Sequence, residues 1–354
     1  MVFKGLSIPR DRFTKETLMV TSMREYLIKR IIFALITLYI IATLQFVIFQ
    51  VASPIDPVAT YMISDPRFTA ERAQQIMETF GLNQPLHIRY IKYVQAMFTW
   101  NFGFSFRSMR PVAVEMSWRL VNTVLLLGTV LVCTIMVGIP LGILAASRRG
   151  GTLDVLTIGS GILAWGVPAF FIQLLFLLFF SYYAFLTLGF PLFPFGKLHS
   201  LPPPSDPLGY ALDVAWHLAA PVITLVVAGF GSWALYTRNI MLDALTQDYV
   251  VTARAKGLTE RAVLYRHAFR SSLPPIVTLV TLSVPGIVTG AIITEHIFTW
   301  PGIGQWYIES LFHADYPVVQ SVVFIFAVLM ILANIVADIL YGVLDPRIRV
   351  GARR

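Results

Sequence analysis

Six stretches of this 354-residue chain stay apolar for about the 20 residues a helix needs to cross a bilayer core. They lie near Ile31–Val51, Val121–Ala146, Val155–Leu186, His217–Tyr236, Ile276–Phe298 and Val318–Tyr341. Lipid offers the backbone no hydrogen-bond partners, so runs of this length can only be helices. The expected fold is an all-α polytopic membrane protein with six transmembrane helices. Composition agrees: 56% of residues are hydrophobic and 13% charged, about half the charge of a soluble domain, and mean hydropathy is +0.72. The third run is long for one crossing and contains Trp165-Gly166-Val167-Pro168, which predicts a kinked or tilted helix. The first run is too long for a cleaved signal, and Ala52-Ser53 is followed by Pro54, a poor cleavage position.

Basic residues choose the orientation. Of the 27 Lys and Arg, 19 fall on one side of a six-span chain. They occupy the N-terminal tail, the Arg148-Arg149 pair, the segment from Arg238 to Arg270, and the tail from Arg347 to Arg354. The positive-inside rule makes that side, with both termini, cytoplasmic. The net charge of +8 is therefore topological, not a nucleic-acid footprint. Cys133 sits alone inside an apolar run, so neither a disulfide framework nor a CxxC metal site exists.

The chain divides into a cytoplasmic tail (1–30), an anchor helix (31–51), an external segment (52–115), a main membrane domain (116–342) holding a cytoplasmic loop (237–275), and a C-terminal tail (343–354). In the external segment, Thr69 is placed to cap an amphipathic helix that ends near Gly81. Pro191, Pro194 and Pro202-Pro203-Pro204 predict an extended, stiff connection between the third and fourth spans.

The cytoplasmic loop is polar, basic and helix-prone. Thr246 or Asp248 can cap a helix running to Lys256, and Gly257 sits where a helix ends in the left-handed conformation. Thr259 can cap a second helix from Glu260 to about Ser271, with Pro274 and Pro275 expected to stop it. Tyr249, Ala253 and Lys256 share a face at helical spacing, and small Ala253 and Ala255 would let another surface approach the backbone. The bland alternative is an amphipathic connector held at anionic lipid by its arginines.

The residue pattern favours the sharper reading. Thr252-Ala253-Arg254-Ala255-Lys256-Gly257 followed by Leu273-Pro274-Pro275 resembles the EAA loop of permeases in ATP-binding-cassette importers. The longer string from Asp248 to Pro275 is most similar to the dipeptide and oligopeptide branch. The literal Glu-Ala-Ala is absent; Val251-Thr252-Ala253 stands in its register. The resemblance extends over almost the whole chain: Met23 to Arg30, Gly81 to Leu86, Asn101 to Ser105, Gly138 to Gly142, Glu295 to Gly304, Asp315-Tyr316-Pro317, Asn334, Asp338, Tyr341 and Leu344 to Arg347. Residues 1–22 read as an extension. Ser53-Pro54-Ile55-Asp56-Pro57 departs from the family's Pro-Gly-Asp-Pro, with Asp56-Pro57 kept.

The resemblance implies a type I importer permease fold in the inner (cytoplasmic) membrane. It also implies a second homologous permease, two cytoplasmic ATPases and an external solute-binding protein. ATP and Mg would be bound by the ATPases and no cofactor by this chain. The coupling residues it implies are Asp248, Tyr249, Ala253, Arg254, Ala255, Gly257, Leu258, Arg266 and His267. Pro285-Gly286 suggests a helix break lining a passage, and Pro285, Gly286, Glu295 and Phe298 are candidate residues of the translocation path. Peptides are the expected cargo; oligosaccharide or nickel is the alternative within the same architecture.

Other residues fit bland roles better. Asp338, with Asn334 one turn before it, reads as a buried hydrogen-bonded carboxylate rather than an ion pathway, and His296 as a structural interfacial histidine. Gly138/Gly142 and Gly286/Gly290 read as packing sites within the chain. No GxxxxGK[ST] is present, so nucleotide must be bound elsewhere, and no HExxH or GxSxG supports an intramembrane hydrolase. An ion-coupled secondary transporter would need internal repeats and paired intramembrane charges, which this chain does not show.

Overall fold

The computed structural model describes residues 23–52, 83–288 and 292–344, with side-chain surroundings left out for a few of these. The Thr69–Gly81 helix, the Asp56-Pro57 motif, the extension at 1–22, and the carboxylate of Asp338 lie outside what is described.

Every regular element is helical among the described residues. The helices are α1 (Met23–Val47), α2 (Leu86–Phe98), α3 (Val112–Ser147), α4 (Thr152–Gly166), α5 (Ala169–Leu188) and α6 (Pro207–Leu245). Then follow α7 (Asp248–Ala255), α8 (Arg270–Val288), α9 (Ile292–Ile297), α10 (Ile303–Phe312) and α11 (Tyr316–Leu344). Five helices are long and apolar enough to cross a membrane: Ile28–Val47 within α1, α3, α5, α6 and Tyr316–Ala337 within α11. The fifth expected span falls on α8, 19 residues long, and on α9.

The third expected span is two helices rather than one bent helix. α4 ends at Gly166, Val167 is extended, and α5 starts after Pro168. The residue before a proline is pushed out of the helical region, and Gly166 adds no helix propensity to resist.

α3 and α6 form the centre. At 36 and 39 residues they are about 54 and 58 Å long, well beyond a hydrocarbon core of about 30 Å. Glycine sets how closely they pack. A Cβ on Gly138 would strike the Trp233 Cβ, and one on Gly142 would come 2.5 Å from the Ala234 carbonyl oxygen. The Gly138/Gly142 pair thus serves packing within the chain. α4 meets α6 at Gly161 and Gly231, where a Cβ on Gly161 would lie 3.0 Å from the Gly231 Cα.

The two ends of this bundle are built differently. At one end the α3–α4 turn and the α6–α7–α8 segment pack together. At the other, two family-like motifs distant in sequence meet: Asp315 accepts hydrogen bonds from Ser105 Oγ (2.5 Å), Phe106 N (2.9 Å) and Arg107 N (3.3 Å). Burial pushes the Asp315 carboxyl up, and those donors oppose the shift. The stretch 189–206 between α5 and α6 contains no helix or strand, as its prolines predict.

Candidate functional site

Between α6 and α8 the chain leaves the bundle, turns twice and returns. Thr246 ends α6 and turns its hydroxyl back to the Asp243 carbonyl, and Gln247, without a side-chain cap bond, precedes α7. Neither Thr246 nor Asp248 caps the helix; Asp248 is its first residue, where a negative charge suits the helix dipole. Gly257 adopts φ +76° directly after α7, the left-handed turn that glycine takes at least cost. Thr259 then accepts from the Ala262 N–H at 3.4 Å, capping Glu260–Ala262.

From there the helix does not stop at Pro274-Pro275. A π-helical turn, Val263–Phe269, runs into α8, and α8 continues through both prolines to Val288. Each proline removes one intrahelical donor. The π turn has already shifted the hydrogen-bond register just before them, the kind of local adjustment that lets membrane helices keep proline.

The loop has a buried underside. Val250 and Ala253 of α7 pack with Val263 and Ala268, and all four rest on Ile143 and Ala146 of α3 and Met241 and Ala244 of α6. Ala253 is 4% exposed, so it holds α7 down and is not open to a partner; it does not share an accessible face with Tyr249 and Lys256. Tyr249 bonds Ser271, tying α7 to the start of α8. Across the Gly257 turn, Arg254 forks onto Glu260, with Nε to Oε1 at 2.9 Å and Nη2 to Oε2 at 3.3 Å.

The outer side is where the remaining residues gather. Asp248, Val251, Arg254, Ala255, Lys256, Gly257 and Leu258 are all exposed, and Val251 is 57% accessible. Beyond the turn, Tyr265 and Arg266 border an open groove of about 410 Å³ with Thr259, Arg261 and Ala262. His267 is half-buried. The loop thus exposes apolar Val251, Ala255, Leu258 and Tyr265 among its cations, over a packed base.

The candidate path residues are placed otherwise. Pro285 and Gly286 lie inside α8, and their surroundings fall outside the description. Glu295 is 0% and Phe298 1% exposed, so both are enclosed by protein. Glu295 accepts from Thr123 Oγ1 (2.7 Å), Gly304 N (2.7 Å) and Gln305 N (3.1 Å). It thereby gathers the start of α10 against α3.

Residues 138–350 match the family model described as "Binding-protein-dependent transport system inner membrane component", and residues 23–127 match the N-terminal model of the same systems. The chain belongs to this family. It is a multi-pass inner-membrane permease of the ATP-binding-cassette importer type. The oligopeptide transport system permease AppB of Bacillus subtilis is 36% identical, over 92% of this permease and 99% of that relative. The dipeptide permease DppB of Escherichia coli K12 is 33% identical over the same shares. The glutathione permease GsiC of Salmonella paratyphi A is 33% identical, also over 92% and 99%. Among solved structures, the inward-facing MetNI methionine transporter superimposes with a TM-score of 0.50 at 15% identity, over 67% of this permease and 99% of that chain. That likeness establishes the type I permease fold.

Sequence reasoning missed several organising residues. Asp154, Arg238, Thr123 and Arg119 carry no motif of their own. Arg119 sits against the Trp118 and Trp306 rings at 4.4 and 5.0 Å. For Asp154, Arg238 and Arg119 the only signal available was a charge next to an apolar run, and Thr123 offered none.

Proposed function

We propose that this permease forms, with a second homologous permease, the path by which di- and oligopeptides enter the cell from an external binding protein. The three relatives named above are called oligopeptide, dipeptide and glutathione permeases, and all three cargoes are peptides or peptide-like. Two cytoplasmic ATPases hold the ATP and Mg, and this chain contributes no catalytic residue. Force passes between the ATPases and the spans through the loop from Asp248 to Leu273.

The observation that carries this reading is the exposure of apolar Val251, Ala255, Leu258 and Tyr265 on the loop, called its ridge below. An apolar ridge on an otherwise polar loop is suited to a protein partner. Its base is packed onto α3 and α6, so a push on the ridge moves two spanning helices instead of deforming a loose connector. Solute and ATP then bias the same two states of the bundle, which is what coupling requires.

The test is reconstitution of both permeases, the ATPases and the binding protein in vesicles. ATP hydrolysis is expected to rise with peptide-loaded binding protein. Leu258→Asp, which places a charge on the ridge without touching the packed underside, is expected to abolish that rise. Full stimulation in the variant would move the coupling elsewhere.

A further inference from the structure

The helix α2 touches two membrane spans below the level at which they end. Ile28–Val47 of α1 and Tyr316–Ala337 of α11 are 20 and 22 residues long, each about the 30 Å of a hydrocarbon core, so Val47 and Tyr316 stand near its boundary. The two ends are level with each other: the Phe49 ring, just past Val47, lies 5.3 Å from the Tyr316 ring. Near the start of α2, the Tyr90 hydroxyl lies 2.8 Å from the Tyr39 hydroxyl and 2.9 Å from Thr43 Oγ1. Thr43 is one turn inside the span and Tyr39 two, about 6 and 12 Å from Val47. At the far end of α2, the Phe98 and Phe324 rings are 5.6 Å apart, and Phe324 is again two turns, about 12 Å, inside its span. Both ends of α2 thus reach the same depth. Even allowing for the reach of these rings, the helix runs along the membrane boundary and not away from it.

A helix at that level meets protein, lipid and water, and the 13 residues of α2 sort into three faces at helical spacing. Tyr90, Tyr93 and Met97 form the first. The Tyr90 and Tyr93 rings pack on Phe46, and Met97 is buried in the same core as Leu38, Ala42 and Phe324. Ile91, Val94 and Phe98 form the second, headed by His87, whose ring is itself partly apolar. Ile91 is 62% exposed, and Phe98 is exposed as well. Arg89, Lys92 and Gln95 form the third, with Ile88 and Ala96 between them. Arg89 and Lys92 border an open cleft of about 220 Å³ beside Gln84, Asn101 and Gln320, polar surroundings that suit water.

The lipid surface of α1 runs up to this helix. Ile36, Ile40, Leu44 and Val47 flank the Tyr39–Thr43–Phe46 contact and are exposed. Directly after α2, Trp100 is exposed too, and tryptophan gathers at membrane–water interfaces. We propose that α2 is an interfacial helix seated in the headgroup–acyl boundary of the leaflet opposite the coupling loop. Its Ile91–Val94–Phe98 stripe lies on acyl chains, and Lys92 and Gln95 stand in the wet headgroup layer. Helices divided in this way bury their apolar face about 5–10 Å into the boundary. A protein approaching from water meets the Lys92 face, on the other side of the helix from Ile91. The segment that follows α2 brings Ser105, Phe106 and Arg107 onto Asp315, so lipid that holds α2 also steadies the start of α11.

The experiment uses the importer of both permeases and the ATPases in lipid vesicles, on a Cys133→Ala background. A nitroxide is attached in turn to Ile91→Cys, Phe98→Cys, Lys92→Cys and Gln95→Cys. Its collisions with dissolved oxygen, which concentrates among acyl chains, are compared with its collisions with a neutral nickel chelate, which stays in water. The oxygen-to-nickel ratio is expected to be severalfold higher at 91 and 98 than at 92 and 95. The two stripe positions are read independently, so a variant that fails to assemble leaves the other. Free access of nickel to all four positions puts α2 in water and overturns the proposal. Exclusion of both reagents from 91 and 98 means that the second permease, not lipid, covers the stripe, and overturns it equally.

Discussion

Arg238 and Asp154 are 84 residues apart and form a forked ion pair: Nη2 donates to Oδ2 at 2.8 Å and Nε to Oδ1. Asp154 also accepts from the Gly150 N–H at 2.9 Å. The pair fixes the start of α4 and the α3–α4 turn to α6 seven residues before that helix ends at Leu245. Arg238→Met would leave the buried carboxylate unpaired, and breaking such a pair costs about 3–5 kcal/mol. The expected result is a clearly lower melting temperature in detergent, largely recovered by the double variant Asp154→Asn/Arg238→Met. An unchanged melting temperature for Arg238→Met alone would show that the pair holds nothing together.

Gly257 separates stability from docking. A Cβ there meets nothing within 4 Å in this chain, so a substitution is penalised only through the φ of +76°, by about 1–2 kcal/mol. Gly257→Leu should therefore insert and fold while failing to co-purify the ATPases. Gly257→Asn, which tolerates the left-handed region better, should keep more of them. Equal ATPase recovery with wild type, Asn and Leu at 257 would remove this turn from the interface.

Two alanines two residues apart should behave in opposite ways. Ala253 faces the α3–α6 base, and Leu in its place overpacks that cluster at about 1–3 kcal/mol. Ala255 is exposed, so Ala255→Leu should leave the melting temperature alone and weaken ATPase co-purification. Thermal unfolding and pull-down on both variants check this; the reverse pattern would mean that α7 turns Ala255, not Ala253, toward the α3–α6 base.

That contrast marks what could be read from sequence. Spans were legible because length and apolarity suffice in lipid, and Gly257 and Thr259 because their turn chemistry is local. The inward face of Ala253 was not, since alanine is at home on either side of a helix and only Val263, Ala268 and the base decide. Pro274-Pro275 misled because the π turn that accommodates them leaves no sequence mark. Val167-Pro168 was noticed, but whether a proline bends or ends a helix depends on the packing around it. Ion pairs such as Asp154–Arg238 are set by tertiary contact alone.

Glu295 was a candidate for the path, yet its bonds describe a tether. Glu295→Ala would leave the Thr123 hydroxyl and the Gly304 and Gln305 N–H groups without their acceptor, at about 1–3 kcal/mol for each group left unsatisfied. Glu295→Gln keeps the shape: its carbonyl can serve both N–H groups and its amide can donate to Thr123. Alanine should therefore destabilise strongly and glutamine mildly, as read by thermal unfolding. If Glu295→Gln instead leaves stability intact but abolishes peptide uptake, the carboxylate acts on the solute and the tether is incidental.

Orientation is open to direct test by labelling in cells. Cys133 is first replaced by Ala, because it is half-buried in α3 and is the only native thiol. Ser205 and Thr259 are both exposed and lie at opposite ends of the bundle, one just before α6 and the other between α7 and α8. Basic residues cluster around Thr259, while Lys197 is the only one between α5 and α6, so the positive-inside rule assigns Thr259 to the cytoplasm. Ser205→Cys should then react with a membrane-impermeant maleimide on intact cells, and Thr259→Cys only after the membrane is opened. The impermeant reagent cannot reach a cytoplasmic thiol however exposed its residue is. Labelling of Thr259→Cys on intact cells would invert the protein in the membrane, and no cytoplasmic ATPase could then reach the loop.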